Sequence, residues 1–314
     1  MNQPWSVDAI APQAGRRVIV TGANSGIGYH TAAMLARRGA EIVFACRDAQ
    51  RGAQALARLQ TELPQARLHL EPLDLASLAS IHAFAQRQLA LQRPLDILVN
   101  NAGVMAPPRR VETADGFELQ FGVNVLGHFA LTALLRPALE MAANRSAQPP
   151  RVVTIASIAH KTGRIDFDDL QATRRYQPMF AYRQSKLADL MFAFELDRRL
   201  RAQQSRVMSV AAHPGVAATN LFRDDRSPAT RALRAALSGF IGTFLNSDFA
   251  GALPTLYAAT AQDVVSGGYY GPLGLFEARG QRVGPAKVAR RARNDADAMR
   301  LWHLCESLTG VSLG

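Results

Sequence analysis

Tyr182-Arg183-Gln184-Ser185-Lys186 puts a phenol and a primary amine four residues apart, a spacing that shares one face of a helix. A phenol with its usual pKa of roughly 10 is a poor base at neutral pH. A neighbouring cation favours the phenolate, which makes proton exchange with a carbonyl or alcohol oxygen feasible. Taken alone this spacing is common, and its plain reading is an exposed helix pair. Its meaning depends on the rest of the chain.

A second chemical feature lies far upstream. Gly22-Ala23-Asn24-Ser25-Gly26-Ile27-Gly28 follows the β-branched run 17–21 and precedes a helical pattern over 29–38 closed by Gly39. Glycines between a buried strand and a helix let the backbone approach a pyrophosphate, which the helix N-terminus then stabilises. The spacing is G-x-x-x-G-x-G, and turns also use glycine for purely conformational reasons. A second strand over 41–45 ends at Cys46 and is followed at once by Arg47. NAD-binding folds usually place a carboxylate here to accept the ribose 2′-OH. A guanidinium can instead grip a 2′-phosphate bidentately, so Arg47 favours NADP(H), with Asp48 pointing elsewhere.

The elements needed to position these groups are legible as an alternation of strands and helices. Helices are expected over 50–63, 77–91, about 116–140 and 180–203, and further strands over 67–70, 96–99, 151–155 and 207–211, with the block 267–275 as the last strand. The strands are nearly continuous in apolar residues, as a sheet covered on both faces requires. The alternation predicts an α/β fold, a Rossmann-like doubly wound parallel sheet in a single domain. The expected organisation is an N-terminal extension over 1–15, a dinucleotide-binding catalytic domain over 16–278 and a basic C-terminal extension over 279–314 packed on it. A lid over about 220–246 mixes Arg223, Asp224, Asp225 and Arg226 with an apolar stretch through Leu233, Leu237, Phe240, Ile241, Phe244 and Leu245. Such a lid would suit a hydrophobic substrate and exclude water; it could equally be a helix that simply packs on the domain.

Composition narrows the function classes. Two cysteines, Cys46 and Cys305, form neither a disulfide framework nor a metal-ligand spacing, and no His, Cys, Asp and Glu grouping has metal spacing. The net charge of +11 is concentrated in Arg279, Arg282, Lys287, Arg290, Arg291 and Arg293. Without interleaved aromatics this reads as a solvated face rather than a nucleic-acid surface. Residues 1–15 lack a signal-peptide pattern, and no apolar run approaches the roughly 18 residues of a membrane span. A cytoplasmic protein without stable membrane insertion is the expectation. A Ser–His–acid hydrolase is disfavoured because no G-x-S-x-G elbow occurs.

TGANSGIG (21–28), NNAG (100–103), Asn124, Ser157, Tyr182-x-x-x-Lys186 and Pro214-Gly215, in this order, resemble the short-chain dehydrogenase/reductase superfamily over about residues 16–220. ACRD (45–48), NVLGHF (124–129), SIAHKTG (157–163) and SKLA (185–188) resemble its retinol-dehydrogenase-like branch, which tends to use NADP(H). The resemblance implies that Tyr182 is the general acid in reduction and the general base in oxidation. It implies that Lys186 assists Tyr182 and binds the nicotinamide ribose, that Ser157 hydrogen-bonds the substrate oxygen, and that Asn124 holds a water relaying protons towards Lys186. The cofactor would be lined by Gly22, Asn24, Ser25, Gly26, Ile27, Gly28, Arg47, Asp74, Leu75, Asn101, Ala102, Gly103, Tyr182, Lys186, Pro214, Gly215 and Thr219. Ser157 and Tyr182 are 25 residues apart, which makes 163–176 a polar insertion. Ser185 would face away from the Tyr182 side. His160 and His128 read as ordinary hydrogen-bonding or packing residues, and His213 is open.

These features together predict an NADP(H)-dependent oxidoreductase interconverting a hydrophobic aldehyde or ketone and an alcohol; the resemblance implies a homo-oligomer, a dimer or tetramer. The competing readings are a non-catalytic NADP(H)-binding sensor on the same fold and a sugar-nucleotide epimerase, for which the roughly 95 residues after Thr219 are short and apolar.

Overall fold

The computed structural model describes residues 5–216 and 246–313. Eight strands form one sheet among the described residues: β1 (Arg17–Thr21), β2 (Glu41–Cys46), β3 (Leu68–Pro72), β4 (Ile97–Asn100), β5 (Arg151–Ile155), β6 (Met208–Ala212), β7 (Tyr269–Pro272) and β8 (Val283–Pro285). Their order is β3-β2-β1-β4-β5-β6-β7-β8. The pairs from β3 to β7 are parallel, and β8 closes the edge antiparallel to β7. The sheet therefore runs on past residue 278, and the strand expected over 267–275 is followed by one more.

Strand order reverses between β1 and β4, which opens a crevice beyond the carboxyl ends of these strands. The central strands are buried along their whole length, because helices cover both faces. Alternation splits them between two apolar layers. Ile19, Val43, Leu98 and Val152 face α3 (Leu78–Ala90), α5 (Gly127–Arg145), α6 (Pro178–Ala202) and α8 (Asp295–Thr309). Val18, Val20, Ile42, Phe44, Val99 and Val153 face α1 (Gly26–Arg37), α2 (Ala49–Glu62) and α7 (Asp248–Thr260).

The long helix expected over about 116–140 starts later and is interrupted. Gly116 has φ +82°, a left-handed conformation that no helix continues. Glu118 then caps the short α4 (Leu119–Phe121) by accepting from the N–H groups of Gln120 and Phe121. A π turn over Gly122–Leu126 joins α4 to α5. Such bulges inside helices recur at functional sites, and this one contains Asn124.

The two terminal segments pack on the same body. Trp5 meets Tyr257 edge to face, and Ile10 is buried. At the other end α8 is capped by Asn294 and closed by Gly310 at φ +66°. It inserts Trp302 against Phe129 and Phe192. Part of the C-terminal basic charge is spent on packing: Arg293 lies over Phe194, Arg300 over Phe167, and Arg291 donates to the carbonyl of Gly163.

Candidate functional site

The loop after β1 is shaped by what its backbone must approach. Gly22 has φ +67°, and a Cβ there would lie 3.1 Å from both Cα and Cβ of Ala102. A Cβ on Gly28 would lie 2.5 Å from Nδ2 of Asn101 and 2.6 Å from the carbonyl oxygen of Gly22. Gly26 has φ +56°. Thr21 binds this loop to the one after β4, its Oγ1 accepting from the N–H groups of Asn101 and Ala102 at 2.9 Å each. Asn101 returns Nδ2 to the carbonyl of Thr21. Ser25, at the N-cap of α1, makes no side-chain cap bond, so the first-turn N–H groups of this helix have no side-chain partner there. Asn24 and Ile27 complete the loop, and Cys46 lies beneath it, its thiol pushed up to about 11 by burial.

At the end of β2 the two charged side chains divide. Asp48 caps α2, Oδ1 accepting from the N–H of Arg51, and also pairs with the Arg51 guanidinium. Arg47 is exposed. Asp74, after β3, is turned into its own loop, where Oδ1 accepts from the N–H of Ala76. Leu75 is buried, its carbonyl 2.7 Å from where a Cβ on Gly127 would sit.

The second cluster is built from buried side chains. Lys186 is almost fully enclosed, and its Nζ donates to the carbonyl of Ile155 at 2.9 Å and to Oδ2 of Asp189 at 2.7 Å. Burial works against the ammonium, but the charge of Asp189 and the nearby Tyr182 outweigh it, and Lys186 is held above its ordinary value. Burial pushes the Asp189 carboxyl up to about 6 despite the attraction of Lys186. Tyr182 lies one turn earlier on α6 and is 8% exposed. Ser157, two residues beyond Ile155, caps a 3₁₀ turn (Ile158–Thr162) through the N–H of Ala159, and this turn packs against α6.

Asn124 ties the cluster together. Its side chain accepts from the N–H of Val104, donates to the carbonyl of Val104 and donates to Oγ of Ser185. Ser185 is buried and donates to the carbonyl of Tyr182. A Cβ on Gly103 would lie 3.2 Å from Oδ1 of Asn124 and 3.9 Å from Nζ of Lys186, so the loop after β4 touches both clusters. His128 joins them again: Nε2 is 3.0 Å from Oγ1 of Thr21, and Nδ1 is 2.9 Å from the carbonyl of Asn124. Burial pushes His128 down to about 4, so the imidazole is neutral at pH 7.

The remaining expected residues fall nearby. The carbonyl of Pro214 accepts from Nδ2 of Asn246 at 2.9 Å, and Gly215 has φ +75°, where an added Cβ would clash with the carbonyl of Ala278. Thr219 and the expected lid over about 220–246 lie outside the described residues, apart from Asn246. His160 uses both ring nitrogens on backbone, with Nδ1 on the carbonyl of Ser157 and Nε2 accepting from the N–H of Ala289. His213 is buried, its Nδ1 accepting from the N–H of Gly215, and burial pushes it down to about 3. The insertion over 163–176 is a loop in which Asp169 accepts from the N–H groups of Thr173, Arg174 and Arg175.

Sequence reasoning did not single out Asp189, Asn246 or the bridging role of His128. Asp189 carried a local signal, a carboxylate three residues after Lys186. The other two act through contacts distant in sequence. Among the described residues no group of His, Cys, Asp and Glu could hold a metal ion, and no helix is long and apolar enough to cross a membrane.

A family model described as short chain dehydrogenase matches residues 16–229. The chain is 44% identical to mouse polyprenol dehydrogenase over 308 residues, which cover 97% of this chain and 87% of that one. It is 42% identical to mouse retinol dehydrogenase 12 over 299 residues, 95% of this chain and 87% of the relative. An uncharacterized protein from Mycobacterium paratuberculosis superposes with TM-score 0.79 at 40% identity, covering 99% of this chain and all of that one. The Pseudomonas aeruginosa RhlG/NADP active-site complex superposes with TM-score 0.61 at 28% identity over 82% of this chain and 94% of its own.

Proposed function

The chain belongs to the short-chain dehydrogenase/reductase superfamily, in its retinol-dehydrogenase-like branch, and is an oxidoreductase that binds NAD(P); on that premise we propose that it interconverts a hydrophobic carbonyl and its alcohol using NADP(H). The carrying observation is the buried Lys186 ammonium, pinned to the carboxyl end of β5 one helical turn from Tyr182.

The residues present fit a dinucleotide. Side chains are excluded at Gly22 and Gly28 because backbone already fills the space, which leaves a smooth loop beneath the uncapped N-terminus of α1. Oriented N–H groups and the helix dipole favour an anion there. Arg47 is exposed at the tip of β2 while the neighbouring carboxylate is committed to Arg51. This division supports a 2′-phosphate over a bare 2′-hydroxyl. Asn101, Ala102 and Gly103 line the adenosine side in this reading, and Pro214 and Gly215 the nicotinamide side.

NADPH, when bound, supplies the hydride to the carbonyl carbon. Tyr182 donates its phenolic proton to the carbonyl oxygen in reduction and takes it back in oxidation. Ser157 hydrogen-bonds the same oxygen and stabilises the charge that develops on it. Lys186 holds its ammonium beside Tyr182, and Asn124 fixes Ser185 and Val104 so that α6 cannot shift against the π turn. The names of the relatives, a polyprenol and several retinol dehydrogenases, support an extended apolar alcohol or aldehyde as the substrate class.

A panel of aldehydes and ketones with NADPH, followed by absorbance, tests the reading. Wild type consumes NADPH with at least one apolar carbonyl, and Tyr182→Phe loses about 100- to 10,000-fold in kcat while still binding NADPH. If wild type binds NADPH but no carbonyl consumes it, the sensor reading stands instead.

A further inference from the structure

Lys186 has a partner that the reaction as described does not use. Asp189, one turn further along α6, points the same way into the interior, and its side chain is only 3% exposed. Burying a lone ammonium is costly, and so is burying a lone carboxylate; each is tolerated when the two are paired and hydrogen-bonded. The pair here is direct at 2.7 Å. An ammonium has three donors. Two of them are taken by Asp189 and by the carbonyl of Ile155, and the third is left for the side of Gly103 and Tyr182, where the cofactor loop approaches Nζ.

We propose that Asp189 is a positioning residue for the reaction: its carboxylate keeps the buried Lys186 ammonium charged and oriented, with one N–H directed to the Tyr182 side. The proposal rests on the oxidoreductase reading above. Few other charges compete for this role. Asp189 faces Lys186 on its own helix and the thiol of Cys305 on α8. Lys186 faces Tyr182 on α6 and the neutral imidazole of His128 on α5. Burial raises the Cys305 thiol far above its ordinary range, so it carries no charge. Asp189 is thus the counter-charge that Lys186 has in contact. Without it, burial is unopposed except by the phenol, and the ammonium gives up its proton at lower pH.

The experiment reads Lys186 directly. The chain contains only three lysines, Lys161, Lys186 and Lys287, so lysine labelled with 13C at Cε gives three NMR signals from the full-length protein. In wild type the Lys186 signal should remain that of the ammonium to the alkaline limit of the folded state. In Asp189→Asn, which keeps shape and hydrogen bonding, Lys186 should titrate at least about one pH unit lower, a tenfold change in its protonation equilibrium, with Lys161 and Lys287 unmoved. The alkaline limb of kcat/KM for carbonyl reduction should move down with it. Asp189→Ala, which also removes the anchor, should cost about a further tenfold in kcat at pH 7. An unchanged Lys186 titration in Asp189→Asn overturns the proposal. So does an equal loss of kcat and Tm in both variants with no change in pH profile. The titration needs no substrate, so failure of the oxidoreductase reading, seen as no NADPH consumption by wild type, is told apart from failure of the Asp189 assignment.

Discussion

The two ends of the proposed cofactor path are made of different material. Around β1 and β2 the chain offers backbone: glycines where no Cβ fits, an uncapped helix N-terminus, and the exposed guanidinium of Arg47. Around β5 and α6 it offers buried side chains bonded to one another, with Lys186 on Ile155 and Asp189, Asn124 on Val104 and Ser185, and His128 on Thr21 and the Asn124 carbonyl. The difference matches what each end has to do in the proposed reaction. An end that binds an anion can leave its groups in water until the ligand brings the opposite charge. An end that stabilises charge developing during reaction must have its dipoles fixed beforehand, because reorganising them would add to the barrier. The same element, a cation, is therefore exposed in Arg47 and enclosed in Lys186.

Charge reversal at the exposed end should have the largest effect. Arg47→Asp replaces a bidentate donor with a repelling carboxylate, and NADPH should bind about 100-fold more weakly, about 2.7 kcal/mol. NADH, which has no 2′-phosphate, should stay within about threefold. Fluorescence titration with both cofactors reads the two numbers side by side. An equal loss for both would break the comparison, since Arg47 would then be serving the loop rather than the phosphate.

Gly28 probes the same end by shape instead of charge. A methyl group there meets Asn101 Nδ2 at 2.5 Å and the Gly22 carbonyl oxygen at 2.6 Å, and the second of these is backbone that cannot rotate away. Gly28→Ala should cost about 2 kcal/mol in urea denaturation. It should weaken NADPH and NADH alike, because backbone does not distinguish them. A variant with unchanged stability and unchanged affinity would show that the loop has room, and that its glycines serve only the turn.

The sequence made the two ends unequally legible for the same physical reason. The glycine loop, Arg47 after β2, and Tyr182 with Lys186 one turn on are all local patterns, and the apolar strand runs announce the parallel sheet through burial. The sequence reads as uninterrupted helix through the π turn that seats Asn124, because Gly122 and Gly127 weaken a helix without ending it. What shows the later start is Gly116 in a left-handed conformation and Glu118 folding back as a cap. The bridge from His128 to Thr21 spans 107 residues, and nothing in either neighbourhood records it. β8 is three residues long, too short for any periodicity, and it is strand only because β7 lies beside it. The Lys186–Asp189 pair was within reach. Three residues on a helix share a face, yet whether that face is wet or dry decides its meaning, and burial is a property of the packed chain.

Acid should act on the enclosed end with a smaller effect. His128 and His213 are buried and neutral, pushed by desolvation down to about 4 and about 3, whereas in the unfolded chain an imidazole binds a proton from about pH 6.5 downward. Between those values the unfolded state holds more protons than the folded one, so stability falls as pH drops, through the window from about 6.5 to about 4 for His128 and to about 3 for His213. From pH 7 to pH 5.5 each histidine should cost about 1 kcal/mol. Urea denaturation of the cofactor-free protein at the two pH values measures the net change, to which His30 and His160, also lowered by burial, add with the same sign and Asp189, raised to about 6, with the opposite sign; the variant His128→Gln isolates one share. It should be less stable than wild type at pH 7, because Thr21 and Asn124 lose a partner, yet its further loss on going to pH 5.5 should be smaller by about 1 kcal/mol. An identical pH slope in variant and wild type would mean that His128 takes its proton in the folded state without penalty, and that this end is less closed to water than its hydrogen bonds require.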